Sequence, residues 1–110
     1  MTTEIVHIVD DDEGAVKPIV KLVETIGLQA ETYQSSEDFL NRYRSSGPAC
    51  LVLDVRMPEM SGVTLQERLA ENGVTMPIIM ISAYADVPLA VQAMRNGALN
   101  FLEKPFRLQE

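Results

Sequence analysis

Five short runs along the chain are apolar or rich in β-branched residues, and polar residues close most of them. Residues 5–9, 50–53 and 78–81 are apolar at nearly every position, which is typical of parallel strands that are buried on both faces. Residues 28–33 alternate in the manner of an edge strand, and residues 100–103 stop at Lys104-Pro105. The pattern therefore predicts five strands.

Helical spacing separates these strands. Apolar residues recur at intervals of three and four within 16–26, 35–43, 63–69 and 87–94, and Gly27, Gly47, Gly73 and Gly97 follow as stop signals. Pro18 either starts the first helix late or removes one of its interior hydrogen bonds. The resulting β-α-β-α-β-α-β-α-β order predicts an α/β fold, with a doubly wound parallel sheet and helices on both faces.

The composition narrows the class of protein. The chain has 110 residues, enough for one domain spanning 1–110, and 9 basic against 16 acidic residues give a net charge of -7. The basic residues are scattered, which argues against direct binding of nucleic acid. The longest uncharged stretch, 72–85, is shorter than the ~18 residues that span a membrane. With a single cysteine, Cys50, and no basic leader, the chain is expected to be a soluble cytoplasmic domain.

The carboxyl ends of four predicted strands carry polar residues. Asp10 and Asp11 follow the first strand, Asp54 follows the third, Ser82 the fourth and Lys104 the fifth. Because ligands bind at this edge of open α/β sheets, these side chains are expected to converge. Three neighbouring carboxylates suit a hard cation such as Mg²⁺.

Other roles remain open for these residues at this stage. Asp10 and Asp11 can form a solvated acidic turn that caps the first helix, a role that also suits Asp12. Ser82 can cap a helix, and Lys104 can act as a simple counter-ion. His7 is interpreted as a packed core residue rather than a ligand.

Four segments together resemble the receiver domain of two-component response regulators. They are Ile8-Val9-Asp10-Asp11, Asp54-Val55-Arg56-Met57-Pro58-Glu59-Met60-Ser61-Gly62, Ile81-Ser82-Ala83 and Lys104-Pro105-Phe106. The likeness extends over residues 4–107, and residues 85–98 together with 101–106 look most like the FixJ-type subgroup. It implies a five-stranded sheet in the flavodoxin-like order 2-1-3-4-5. The chain ends a few residues after the last strand, so a fifth helix is expected to be missing or truncated and one face of strands 4 and 5 left partly bare.

The resemblance also implies the roles of the acidic residues. Asp54 would accept a phosphoryl group from a phosphohistidine on a sensor histidine kinase. Asp11, Asp54 and the backbone carbonyl of Arg56 would bind Mg²⁺ directly, and Asp10 would act largely through water.

The remaining site residues would bind the phosphoryl group or shape the loops around it. Ser82 and Lys104 would contact the phosphoryl group, and Phe101 would change rotamer as Ser82 moves, although Phe101 can equally be plain core. Loop-shaping roles fall to Pro58, Gly62 and Pro105.

The leading interpretation is a phosphoacceptor domain that switches an output domain absent from this chain. That output domain would be a helix-turn-helix, DNA-binding domain that regulates transcription, and association into a homodimer is left open. Three other classes of protein are possible. A flavin-binding carrier would need a Ser/Thr/Gly-rich phosphate loop after the first strand, where this chain has acidic residues, and an aspartyl-phosphate phosphatase using Asp10 and Asp12 would leave Asp54 unexplained. The third is a receiver kept only as an interaction module, which the presence of the acidic residues, Ser82 and Lys104 disfavours.

Overall fold

The computed structural model describes residues 4–44, 47–82 and 87–103, with the side chain of Val87 left out. Its five strands form one parallel sheet in the order β2-β1-β3-β4-β5, which confirms the expected order. The strands are β1 Ile5–Val9, β2 Gln29–Tyr33, β3 Ala49–Asp54, β4 Ile78–Ser82 and β5 Asn100–Glu103. The most apolar runs form the three inner strands, since these are covered on both faces.

Four helices connect the strands. They are α1 Glu13–Thr25, α2 Ser36–Arg42, α3 Gly62–Glu71 and α4 Val87–Arg95. Asp12 caps α1 by accepting a hydrogen bond from the Gly14 N–H at 3.0 Å. Pro18 lies inside α1, so this helix continues through it with one backbone donor fewer. The helix α2 ends at Arg42, one residue before the Tyr43 that the sequence pattern had placed on its apolar stripe.

Alternate residues of the inner strands point to opposite faces of the sheet, and each face has its own core. The main core lies under α2, α3 and α4 and comprises Val9, Tyr33, Phe39, Leu51, Leu53, Val55, Met57, Val63, Leu65, Leu69, Met80, Ala93 and Ala98. A smaller cluster of Val6, Ile8 and Val23 lies under α1. Met57, from the loop after β3, is buried in the main core and packs there.

The sheet is less well covered towards β5. Leu102 is 39% exposed, and Ile79 of β4 is half-buried, which agrees with the partly bare face expected there. Residues 104–110, on which the predicted absence of a fifth helix depends, lie outside the described part of the chain. Within that part, every helix is too short or too polar to cross a bilayer.

His7 of β1 belongs to an aromatic cluster between the sheet and α2. Its Nδ1 atom is hydrogen-bonded to the Tyr33 hydroxyl at 2.8 Å, and the Phe39 and Tyr43 rings contact it edge-on. The guanidinium of Arg42 lies 4.5 Å from the centre of the Tyr33 ring. Burial lowers the pKa of His7 and raises the pKa of Tyr33. His7 is therefore a packed core residue, as the sequence indicated.

Candidate metal site at the carboxyl edge of the sheet

The pairing of β1 with β3 brings the acidic strand ends together. Val9 is aligned with Leu53, so that Asp10 and Asp54 leave neighbouring strands at the same level of the sheet. The Asp10 N–H donates to the Tyr33 carbonyl at 3.0 Å, which continues the strand pairing with β2 up to the site. Sheet order, rather than sequence distance, therefore determines which carboxylates meet.

Three carboxylates converge at this edge. Asp10, Asp11 and Asp54 each have a carboxylate oxygen within 4.8 Å of those of the other two. Asp10 is 2% exposed and Asp54 is 5% exposed, whereas Asp11 lies at the surface. Two like charges about 4 Å apart repel each other by about 4 kcal/mol at an effective dielectric constant of 20. The donor set consists of hard oxygen ligands, and it therefore fits a cation such as Mg²⁺.

Backbone donors orient the two buried carboxylates. The Asp12 N–H donates to Oδ1 of Asp10 at 2.9 Å, and the Arg56 N–H donates to Oδ1 of Asp54 at 3.2 Å. Each donor lies two residues after the carboxylate that it contacts, so the loop that follows each strand fixes the side-chain rotamer of Asp10 or Asp54. The carboxylates are therefore held in position by the protein itself.

The loop after Asp54 is tied to three elements. The Val55 N–H donates to the Ile81 carbonyl of β4, and the Val55 carbonyl accepts from the Gly62 N–H, both at 2.9 Å. The buried Ser36 hydroxyl at the start of α2 donates to the Met60 carbonyl at 3.0 Å. The helical pattern over 35–43 predicts no such role for Ser36, because a single serine gives no signal of a contact 24 residues away.

Gly62 is required by close approach. A β-carbon at this position would overlap the Asp54 carbonyl oxygen and lie 2.9 Å from the carbonyl carbon. A side chain at position 62 would therefore require the backbone at Asp54 to shift. Pro58 lies exposed in the same loop, next to Glu59, which has a positive φ of 68°.

Of the other predicted site residues, two belong to the described part of the chain and two lie outside it. Ser82 is buried at the carboxyl end of β4, one residue beyond the partner of Asp54 in the strand register. Phe101 is half-buried on β5 and packs against the main core. Lys104 and Pro105 lie outside the described residues.

Comparison with known proteins identifies the family. A family model described as the response regulator receiver domain matches residues 6–110. The chain is 46% identical over 106 residues to the response regulator protein TodT of Pseudomonas putida, a match that covers 96% of this chain. The chain belongs to the response regulator receiver family.

Solved structures agree with this assignment. The receiver domain superimposes on the crystal structure of FixJ-N with a TM-score of 0.85 and 41% identity, covering 97% of this chain and 86% of that one. The response regulator StyR gives a TM-score of 0.89 at 41% identity, covering 98% of this chain and 55% of that one. Receiver domains of this family are regulatory switches that interact with sensor kinases.

The receiver domain corresponds to only part of its curated relatives. The match covers 47% of TodT, and 52% of the transcriptional regulatory protein FixJ of Rhizobium meliloti, to which 106 residues are 42% identical. The chain therefore spans about half the length of the curated relatives it matches.

Proposed function

We propose that Asp54 is the phosphoacceptor of this receiver domain and that the donor is a phosphohistidine on a sensor histidine kinase. The proposal rests above all on the position of Asp54, buried at the end of β3 with its carboxylate within 4.8 Å of those of Asp10 and Asp11. A carboxylate is a competent nucleophile for forming an acyl phosphate.

The transfer exchanges one bond to phosphorus for another. An oxygen of the Asp54 carboxylate forms the new P–O bond while the P–N bond to the histidine breaks. The bonding electron pair remains on the imidazole nitrogen, which is left as the free histidine of the kinase. The Arg56 N–H, 3.2 Å from Oδ1 of Asp54, orients the attacking carboxylate.

The carboxylates require a counter-charge before an anionic phosphoryl group can approach. Mg²⁺ held by Asp11, Asp54 and the Arg56 backbone carbonyl, with Asp10 acting largely through water, would neutralise the charge that spreads over the transferred group. The cluster of hard oxygen donors supports this choice of ion. Asp10 and Asp54 are aligned for it by the loops that follow their strands.

The remaining roles concern the phosphorylated state. Ser82, buried next to the end of β3, would donate its hydroxyl to a phosphoryl oxygen. Lys104 would pair with the phosphoryl charge, and Phe101 would change rotamer as Ser82 moves. Pro58, Gly62 and Pro105 would shape the loops, and the close approach of Gly62 to the Asp54 carbonyl supports its share of this role.

The wider context follows from the relatives. Residues 1–110 would form the phosphoacceptor part of a longer cytoplasmic regulator without catalytic turnover of its own, and its output would be a helix-turn-helix domain that binds DNA. Named relatives such as FixJ are transcriptional regulatory proteins. A homodimer is included in the proposal because Val91, Met94, Leu99 and Leu102 expose apolar surface on α4 and around β5. The net charge of -7 supports the view that this part itself does not bind nucleic acid.

The test is phosphorylation with a small donor. Incubation with Mg²⁺ and acetyl phosphate should add about 80 Da per chain in an intact-mass measurement, the mass of one phosphoryl group. Asp54→Asn and addition of EDTA should each abolish the gain. Failure of the wild-type chain to gain this mass, or an undiminished gain in Asp54→Asn, would contradict the proposal.

Asp12→Asn provides a matched control. The same change is made in an acidic residue beside the cluster, and asparagine caps α1 as well as aspartate does. Phosphoryl uptake should persist in this variant. A phosphatase acting through Asp10 and Asp12 would behave differently: the wild-type chain would hydrolyse a generic phosphomonoester, and Asp12→Asn would lose that activity. We expect no such hydrolysis by the wild-type chain.

A further inference from the structure

The helix α3 touches Asp54 directly at its first residue. Gly62 lies so close to the Asp54 carbonyl that it leaves no space for a β-carbon, and its N–H is hydrogen-bonded to the Val55 carbonyl at 2.9 Å. The Ser61 hydroxyl caps the same end by accepting from the Thr64 N–H at 3.2 Å. A displacement of the backbone at Asp54 therefore meets α3 without any intervening side chain.

Gln66 lies one turn further along α3, on the same face as Gly62. Its side chain is 3% exposed, and its Nε2 atom donates to the Ala93 carbonyl of α4 at 3.0 Å. Its Oε1 atom accepts from Nδ2 of Asn96 at 3.4 Å. The amide of Gln66 thus has a donor contact and an acceptor contact on the same end of α4.

The contact falls where α4 turns into β5. The Ala93 carbonyl that Gln66 reaches also accepts from the Ala98 N–H at 3.0 Å and closes the turn after α4. The following Leu99 N–H donates to the Ile78 carbonyl at the start of β4. Gln66 therefore holds the turn that fixes α4 relative to the sheet.

A buried amide makes this attachment specific. Around Gln66 the main core is apolar, with Leu65 and Leu69 on α3 and Ala93 on α4. Burial of an amide among such residues is unfavourable unless its polar atoms are hydrogen-bonded. If α3 moved without α4, the buried bond from Gln66 to the Ala93 carbonyl would break in an environment from which water is largely excluded.

We propose that Gln66 is a positioning residue that ties the last turn of α4 to α3, so that a shift of the Asp54 backbone on phosphorylation moves both helices together. This inference rests on the proposed function of Asp54. Under this proposal α3 helps to transmit the conformational change from Asp54 to α4, in addition to the residues that contact the phosphoryl group.

The test separates phosphoryl uptake from the response of α4. Amide hydrogen exchange of the 87–99 segment is measured with Mg²⁺, before and after acetyl phosphate, and phosphorylation is measured by intact mass in the same samples. Gln66→Met keeps the length of the side chain and removes the amide. Phosphoryl uptake by Gln66→Met should stay within about twofold of wild type, because Gln66 contacts none of the three carboxylates. The change in α4 exchange on phosphorylation should be smaller by roughly threefold or more, which is the size of effect expected of a residue that couples two sites.

Two further variants complete the design. Gln29→Met makes the same change at an exposed residue of the edge strand β2 and should leave the α4 response at the wild-type level. Asn96→Ala removes one partner of Gln66, an exposed residue just after α4, and serves if Gln66→Met does not fold. It should also reduce the response, by a smaller factor.

The outcomes are distinguishable. Equal α4 responses in wild type and Gln66→Met, at equal phosphorylation, overturn this inference and leave the proposed function intact. Phosphorylation of the wild-type chain without any change in α4 exchange does the same. Absence of phosphorylation in the wild type overturns the proposed function and this inference with it.

Discussion

The strands β3 and β5 lie in the same sheet and are held very differently. Strand β3 pairs with β1 on one side and β4 on the other, and Leu51, Leu53 and Asp54 are all buried. Among the described residues, β5 is paired with β4 alone, and Leu102 on it is 39% exposed. The proposed phosphoacceptor is thus the last residue of an inner strand that is paired on both sides, whereas β5 lies at the edge of the sheet.

This difference suits a switch. A site that must hold three carboxylates together requires a backbone that does not relax away from their repulsion. A region that must change conformation requires the opposite, because segments with few buried apolar contacts open at low free-energy cost. The fold provides the first requirement at its centre and the second at one edge.

Truncation of equivalent leucines should give the largest contrast. Leu53→Ala should lower the free energy of unfolding by about 2–5 kcal/mol, since it removes fully buried methyl groups from β3. Leu102→Ala on β5 should cost less than about 1 kcal/mol, because that side chain is already partly in water. Urea denaturation of both variants measures the difference; equal losses would mean that β5 is packed as firmly as β3.

Substitution of Gly62 tests the loop that joins β3 to α3. Gly62→Ala should destabilise the fold by about 1–3 kcal/mol, since the new β-carbon meets the Asp54 carbonyl. It should also weaken Mg²⁺ binding, because a displaced Asp54 backbone carries the Asp54 carboxylate with it. Gly14→Ala, the same change in the first turn of α1, should alter stability by less than about 1 kcal/mol. Urea denaturation and a magnesium titration give both readings; a Gly62→Ala variant with unchanged stability would disprove the close approach.

The only histidine makes the central packing sensitive to pH. Burial lowers the pKa of His7 below its usual value of 6.5, so below about pH 6.5 the unfolded chain binds a proton that the folded chain does not. The free energy of unfolding therefore contains its full contribution from neutral His7 above about pH 6.5. That contribution is lost as the pH falls from there towards the folded-state pKa, and the free energy of unfolding decreases by at most about 1.4 kcal/mol per pH unit.

The measurement is the unfolding free energy between pH 5 and 7.5, a range chosen to stay above most carboxylate titrations. His7→Gln, which retains a group able to bond to the Tyr33 hydroxyl, should have a flatter profile there. An identical slope in the variant would assign the effect to other groups.

The smallest effect on stability is expected at the exposed apolar surface. Leu99 is 66% exposed, and Leu99→Gln should change the unfolding free energy by no more than about 0.5 kcal/mol. It should nevertheless reduce self-association, because it breaks the apolar surface shared by α4 and the start of β5. Leu22→Gln, at a leucine on α1 that is also exposed, is the matched control and should leave association unchanged. Sedimentation velocity on both variants separates the two surfaces; equal behaviour would remove α4 and β5 from any dimer contact.

Much of the fold was predictable because local pattern and global structure agree. The apolar runs at 5–9, 50–53 and 78–81 became the inner strands. The helices α1, α3 and α4 end just before Gly27, Gly73 and Gly97, as expected, whereas α2 ends at Arg42, well before Gly47. The meeting of Asp10, Asp11 and Asp54 was also predictable, since each follows a parallel strand and such strands share one edge. Their convergence needed only the strand order, which the resemblance provided.

What the sequence alone determined was the kind of elements, their order and the acidic residues at one end of the sheet, because these depend on periodicity and on residue chemistry along the chain. The tertiary structure decided which distant backbone and side-chain atoms meet. The Ser36 hydroxyl reaches the Met60 carbonyl, and the Gln66 amide reaches Ala93 across two helices. Such contacts leave no pattern in a single sequence, because the residue type does not reveal whether a serine or glutamine is buried. Its hydrogen-bond partner is determined only by how the helices and strands pack.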